Sequence, residues 1–304
     1  MNKNKHLVIV FGPTGVGKTD VSIQLALYFG AEIFSYDSRQ FYKELGIGVA
    51  KPDANQLSKV KHHFINNVSI HDHYSISQFE TEAISALDEY FKTNDIAIMV
   101  GGSGLYVDAI CKGVDIMPDH DEKIRQEVIE FYENNGIEAL RFELKKIDPE
   151  YYKIVDLKNP QRLLRAIEIY RATGKPFSQF RTNKTANRNF NIIKLGIDLD
   201  REILYNRIND RVDNMIKNGL IKEANHLHKY RGLVALKTIG YTEFFNYFET
   251  GNEQNLEKTV QLLKRNTRHY ARRQLTWFRR YKDAKWFGPK DLEEIKEYVN
   301  LKVK

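Results

Sequence analysis

Short apolar runs alternate with amphipathic segments over the first hundred residues, and this rhythm sets the first expectation. Residues 6–11, His-Leu-Val-Ile-Val-Phe, form a continuous apolar run closed by Gly12, the pattern of a buried strand. A glycine-rich loop follows, then a helix to about residue 29 and a second strand over 31–36. Phe79, Ala83, Leu87 and Tyr90 recur at helical spacing and predict a helix over 77–92. Residues 96–100 form a third buried strand, ended by Gly101-Gly102. Strands alternating with helices predict a mostly parallel sheet with helices on both faces.

The strand signal vanishes from about residue 117 to residue 189. Helices are expected over 120–134, 136–147 and 160–173, the last opened by Asn159-Pro160 and closed by Gly174. Residues 181–189 are polar and read as a loop. Apolar alternation returns over 190–199, so the sheet resumes there, and long helices follow at about 200–218 and 253–281. The predicted organisation is an α/β core over 1–116, an all-helical insertion over 117–189 and a continuation of the core, with basic helices, over 190–304.

Composition adds little until charge is placed along the chain. Of the 304 residues, 42% are hydrophobic and 29% charged, which supports a real core. No apolar run is long enough for a bilayer and no cleavable leader is evident, so a cytoplasmic protein without a membrane partner is expected. Cys111 is the single cysteine, which excludes an internal disulfide and a multi-cysteine zinc site. The net charge is +7, but residues 1–115 hold 10 Lys+Arg against 13 Asp+Glu, while the remainder holds 37 against 27. The basic excess therefore lies wholly in the later part, where a polyanion is a plausible partner and a solvated surface the alternative.

Chemistry enters at Gly12-Pro13-Thr14-Gly15-Val16-Gly17-Lys18-Thr19, which fits the phosphate-loop (P-loop) pattern G-x-x-x-x-G-K-[ST] between a strand and a helix. Backbone N–H groups can converge on one anion, Lys18 adds a mobile positive charge, and the Thr19 hydroxyl suits Mg²⁺. The motif says phosphate or pyrophosphate without choosing a reaction. An ordinary NTPase is disfavoured, because the strand at 96–100 ends in Gly-Gly where such enzymes commonly carry a magnesium-binding Asp. A nucleotide or small-metabolite kinase stays open.

Asp37-Ser38-Arg39-Gln40 follows the second strand, at the edge where open α/β sheets bind ligands. There Asp37 is a general base, a magnesium ligand or simply a helix cap. Gly101-Gly102-Ser103-Gly104 permits close approach of a ligand to backbone, or makes a tight turn. His62 and His63 point to opposite faces if they lie in a strand and read as structural. Residues 264–282 hold eight Lys/Arg and no Asp or Glu, with Arg265, Arg268, Arg272 and Arg279 on one helical face and Tyr270, Trp277 and Tyr281 on another. Basic charge interleaved with aromatics suits RNA, and a solvated face over buried aromatics is the alternative. A non-catalytic RNA-binding protein would share that feature.

Together these segments resemble the tRNA dimethylallyltransferase family, also called tRNA isopentenyltransferases, from Leu7 to about Phe287. The resemblance rests on the phosphate loop, Asp37 to Tyr42, Ile47-Gly48-Val49-Ala50-Lys51-Pro52, His62-His63-Phe64 and Gly101 to Tyr106. It continues through Asn159 to Glu168, Thr173-Gly174-Lys175-Pro176, Ile239-Gly240-Tyr241-Thr242-Glu243 and Thr267 to Phe278. Gly15, Val49 and Ser103 stand where the family often has Ala, Thr and Thr. The chain lacks the cysteines of the zinc finger that eukaryotic members add, so it resembles the bacterial form.

The resemblance implies a P-loop NTPase-like α/β core with its parallel sheet flanked by helices, plus an all-helical insertion. It implies transfer of a dimethylallyl group from dimethylallyl pyrophosphate to the N6 amine of the adenosine immediately 3′ of the anticodon, with Mg²⁺, by a monomer acting on the tRNA anticodon stem-loop. Residues 12–19 would hold pyrophosphate, Thr19 the metal, and Arg207 and Arg211, four apart on a helix, would clamp from the far side. Asp37, Ser103 and Lys18 would serve catalysis. Asp37, Ser38, Arg39, Gln40, Ser103, Arg125, Gln161, Arg162, Leu163, Leu164 and Arg165 would contact tRNA, as would segment 236–241 with Lys237 and Tyr241, and Arg268 and Arg272.

Overall fold

The apolar run at the start of the chain becomes the middle of a six-stranded sheet. The computed structural model describes residues 4–118, 121–182, 185–250 and 256–304. Residue 120 of the expected helix 120–134, residues 183–184 of the expected loop and residues 253–255 of the expected last helix lie outside the described residues. The strands are β1 (His6–Phe11), β2 (Ile33–Ser35), β3 (His62–His63), β4 (Ile96–Val100), β5 (Asn191–Ile197) and β6 (Lys285–Phe287). Their order is β3-β2-β4-β1-β5-β6, every pairing is parallel, and β1 pairs with both β4 and β5.

Parallel strands need crossovers, and helices supply them on both faces. Leu7, Ile9 and Phe11 of β1 face one core, with Phe79, Ala83 and Leu87 of α3 (Ile76–Tyr90). Val8 and Val10 face the other, with Val21 and Leu25 of α1 (Lys18–Phe29) and Leu204 and Ile208 of α9 (Arg201–Lys217). Successive strand residues point to opposite faces, so a continuous apolar run is what a doubly covered strand requires. The remaining helices of this unit are α2 (Ala54–Lys59), α4 (Gly104–Lys112), α10 (Leu220–Leu227), α11 (Thr242–Thr250), α12 (Leu256–Phe278) and α13 (Leu292–Val303).

Strands β3 and β6 are two and three residues long, too short to leave a periodic signal, which is why β6 is absent from the sequence reading; α13, twelve residues long, is absent from it as well.

The chain divides into two compact units, Met1–Cys111 with Asn187–Lys304, and Lys112–Ala186. The second contains α5 (Glu122–Ile147), α6 (Pro149–Tyr152), α7 (Pro160–Thr173) and α8 (Phe177–Phe180) around Val128, Leu140, Leu144, Leu163 and Ile167. Helix α5 is interrupted at Gly136, whose φ of 74° and ψ of −177° leave the helical region, so its halves correspond to the two helices expected there. Asn159 caps α7 through the Arg162 amide, and Gly174, at φ 69°, ends it in the left-handed conformation. No helix among the described residues is long and apolar enough to cross a membrane.

Candidate active site

The loops after β1, β2 and β4 leave the same edge of the sheet, and a cavity of about 820 Å³ opens there. Its lining brings together Thr14, Gly15, Gly17, Lys18 and Thr19, then Asp37, Ser38, Arg39 and Gln40, then Gly101 and Gly102, and Arg207 and Arg211 from α9. Ligand sites in open parallel sheets form at this edge, where the loops diverge.

The phosphate loop takes its shape from its glycines. Gly15 and Gly17 adopt φ of 83° and 105°, which side chains with a Cβ rarely tolerate. The Lys18 Nζ donates to the Pro13 carbonyl at 2.8 Å, folding back over the loop. Burial drives the Lys18 ammonium down to about 7; the Arg211 guanidinium adds to that shift and the Asp37 carboxylate opposes it. Burial also lowers Arg211, again against the pull of Asp37. Arg211 donates to the Thr14 hydroxyl at 3.0 Å and Arg207 to the Val16 carbonyl at 3.2 Å, so both arginines reach the loop from one face of α9. Gly12 and Val16 are buried, and Val16 points into the core, so these two could offer a ligand only their backbone.

Asp37 makes no helix cap. Its Oδ1 accepts the Arg39 amide at 3.0 Å in a tight turn. The Ser103 hydroxyl accepts the Ser38 amide and donates to the Ser38 hydroxyl, both at 3.1 Å, and so ties the loop after β4 to the loop after β2. Arg39 donates to the Val234 and Ala235 carbonyls at 3.1 Å, and Gln40 to the Ala50 carbonyl at 3.1 Å. These two side chains brace neighbouring loops as well as lining the cavity.

The structure corrects several expected tRNA contacts. Tyr241 is fully buried, and its phenol donates to Glu223 at 2.7 Å, so it belongs to the core; Lys237 in the same segment is exposed. Leu163 and Leu164 turn into the core of the smaller unit, because α7 buries that face; Gln161 and Arg162 on the opposite side are exposed. Within the same unit, Glu168 is buried and receives Arg125 at 3.3 Å and Arg165 at 2.6 Å. Arg268 is half-buried and donates to Asn209 at 2.7 Å, whereas Arg272 is exposed. Of the aromatics in the basic segment 264–282, Tyr281, past the end of the helix, is buried with its phenol on Asp108, and Tyr270 lines the cavity. Burial and the nearby Asp37 charge hold the Tyr270 phenol well above its usual range, hence neutral.

Three residues to which the sequence assigns no role shape the site, two in the cavity lining and one behind it. Gln274 on α12 accepts the Thr14 amide and donates to the Gly102 carbonyl, both at 2.8 Å. Glu223 on α10 accepts the Ile47 and Gly48 amides at 2.8 and 2.9 Å and thereby holds the loop that carries Val49 and Lys51 into the cavity. Lys51 donates to the Tyr42 carbonyl and to Asn66, and burial lowers its ammonium to about 8. Each of the three lies inside a motif or an amphipathic helix whose pattern explains it as structure, so no local signal separates it.

A family model described as IPP transferase matches residues 40–281. A tRNA dimethylallyltransferase of Flavobacterium johnsoniae is 47% identical over 307 residues, covering 98% of this chain and 99% of the relative. A "tRNA dimethylallyltransferase 1" of Bacteroides fragilis is 45% identical over 300 residues, covering 99% of each. Among solved structures, a full-length tRNA isopentenylpyrophosphate transferase of Bacillus halodurans superposes with a TM-score of 0.72 at 35% identity, covering 99% of this chain and 97% of that one. A eukaryotic dimethylallyltransferase acting on tRNA superposes with a TM-score of 0.79 at 26% identity, covering 98% and 77%. On a family model spanning most of its length and relatives this similar from end to end, the chain belongs to the tRNA dimethylallyltransferase, or IPP transferase, family.

Proposed function

We propose that this protein transfers a dimethylallyl group from dimethylallyl pyrophosphate to the N6 amine of the adenosine immediately 3′ of a tRNA anticodon. The observation that carries this reading is a single cavity with a phosphate loop flanked by two arginines and, in the same lining, a carboxylate on a glycine-bordered floor. Pyrophosphate suits the first part and a planar base the second.

The exocyclic amine of adenine is a weak nucleophile because its lone pair is delocalised, so the leaving group has to be made good. Amides of residues 15–19, with Lys18, Arg207 and Arg211, would take the growing negative charge as the allylic C–O bond breaks. The amine lone pair forms the new C–N bond, the electron pair of the broken bond leaves with pyrophosphate, and the amine proton passes to the Asp37 carboxylate. Tyr270, neutral and in the same lining, offers a hydroxyl to the base edge.

Magnesium binds few protein oxygens and completes its shell with phosphate oxygens and water. The Thr19 hydroxyl in the cavity, on the residue after Lys18, is such an oxygen, and the donor set fits a hard cation. When bound, the ion would neutralise charge on the leaving pyrophosphate.

For tRNA, exposed Gln161 and Arg162, the Glu168-braced Arg125 and Arg165, Lys237, and exposed Arg272 are the proposed contacts. A flipped base is within reach of such enzymes because unstacking costs only a few kcal/mol. A monomer in the cytoplasm is the expected form.

Incubating the protein with labelled dimethylallyl pyrophosphate and bulk tRNA tests the proposal. Label in RNA, with release of pyrophosphate, is the expected result. Phosphorylation of a small metabolite coupled to ADP formation would instead identify a kinase, and RNA binding without label transfer a non-catalytic protein.

A further inference from the structure

Gln274 joins two loops that the sheet itself leaves apart. It lies on α12 and is 6% exposed. Its Oε1 accepts the Thr14 amide and its Nε2 donates to the Gly102 carbonyl, each at 2.8 Å and across more than half the chain. The ladder between β1 and β4 ends near Val10 and Val100, with a last bond from the Gly101 amide to the Val10 carbonyl. Thr14 and Gly102 lie past that point, and Gln274 crosslinks them.

The approach is close enough to dictate its partner. A Cβ on Gly102 would stand 2.3 Å from the Gln274 Nε2. Thr14 is fixed a second time, because its hydroxyl receives Arg211. On the other side, Gly102 precedes Ser103, whose hydroxyl holds Ser38 beside Asp37. A connected path therefore runs from the phosphate loop through Gln274 to the turn that carries the carboxylate.

We propose that Gln274 is a positioning residue that sets the separation between the departing pyrophosphate and the acceptor adenine. This rests on the prenyl-transfer reading of the cavity. The requirement is for one acceptor and one donor on the same short planar group, which glutamine meets and an ionised glutamate does not. The consequence falls on the chemical step. Misplacement of reacting groups by about 1 Å costs rate on the order of 100-fold while leaving each substrate its own contacts.

The test compares wild type, Gln274→Met and Gln274→Glu in single-turnover transfer of labelled dimethylallyl pyrophosphate to an anticodon stem-loop RNA at saturating concentrations. Inorganic pyrophosphate titration reports the donor site and RNA titration the acceptor site. Gln274→Met is expected to slow the single turnover by about 10- to 100-fold with both dissociation constants within about threefold of wild type. In Gln274→Glu the buried carboxyl regains its donor when protonated, so its rate relative to wild type should climb as pH falls from about 8 to about 5.5. The glutamate variant keeps the test decisive if the methionine variant does not fold. A single-turnover rate within about twofold of wild type for Gln274→Met, an effect confined to the dissociation constants, or a flat pH ratio for Gln274→Glu overturns the proposal. Failure of wild type to label RNA would instead defeat the prenyl-transfer reading itself, and this inference with it.

Discussion

Lys18 sits in the cavity with its ammonium lowered to about 7, chiefly by burial and then by Arg211. An anionic ligand reverses both influences, so pyrophosphate should bind with uptake of a proton above about pH 7. Calorimetry at about pH 8 in buffers of different ionisation enthalpy should show that uptake in wild type and its disappearance in Lys18→Met. The same shift carries a stability cost of defined sign. The folded pKa lies below the unfolded one, so the penalty is full below about pH 7 and fades as pH rises towards about 10.5. Lys18→Met should therefore melt higher than wild type near neutral pH while binding pyrophosphate less tightly. Asp37 has a different signature: Asp37→Ala should slow single-turnover transfer by about 100-fold or more, with RNA affinity changed far less. A near-normal rate would remove Asp37 as the base. Both residues are legible in the chain because their motifs are local. Gln274 and Glu223 are not, because the backbone groups they hold lie between 172 and 260 positions away.

Among the elements, α12 shows how one pattern serves two ends. Thr259, Leu263, Ala271, Gln274 and Phe278 form its buried stripe, while Arg265, Arg272 and Arg273 are exposed. The stripe makes α12 a core helix, and Gln274 is the polar member that reaches the cavity loops. Arg268 is drawn to Asn209 and lies 6.0 Å from the Tyr205 ring, and Arg279 pairs with Asp198, so two of the four arginines of the expected basic face are already engaged within the protein. Helix α10 supplies a comparable tie through Glu223, which receives two backbone amides and the Tyr241 phenol. Glu223→Ala leaves three donors without that acceptor, at about 1–3 kcal/mol for each that stays buried. Urea unfolding should show a clear fall in stability, smaller in Glu223→Gln, which keeps one acceptor oxygen. Unchanged midpoints would show that water replaces the carboxylate.

For the whole molecule, charge is distributed rather than merely positive. Residues 1–115 carry net −3 and residues 116–304 net +10. Binding of an anticodon stem-loop should weaken steeply with salt, because each neutralised phosphate releases counterions. Replacing the exposed Arg265 and Arg272 together should flatten the slope by about one unit for each phosphate that is no longer neutralised. Changes at Gln161 should instead alter which loop sequences are accepted, if the helical unit reads bases. A wild-type salt slope in the double variant would move the RNA-binding surface off α12.

The alternation of β1, α1, β2, α3, β4 and β5 follows from the sequence alone, whereas β6 and α13 do not. Runs such as 6–11 and 96–100 leave a buried parallel strand as the reading, and the glycines around Lys18 impose a turn that few residues allow. The phosphate loop, the Asp37 turn and Gly101-Gly102 are likewise local, since backbone conformation there depends on neighbours in the chain. The tertiary structure alone decides which polar groups of the long helices meet. Leu163, Leu164 and Tyr241 read as contacts because they lie within conspicuous motifs, yet packing turns them inward. Gln274, on a core stripe, finds the Thr14 amide and the Gly102 carbonyl, and Arg211 finds the Thr14 hydroxyl. A hydrogen bond between residues separated by 260 positions is fixed by the crossing of elements, and helical periodicity carries no record of that partner.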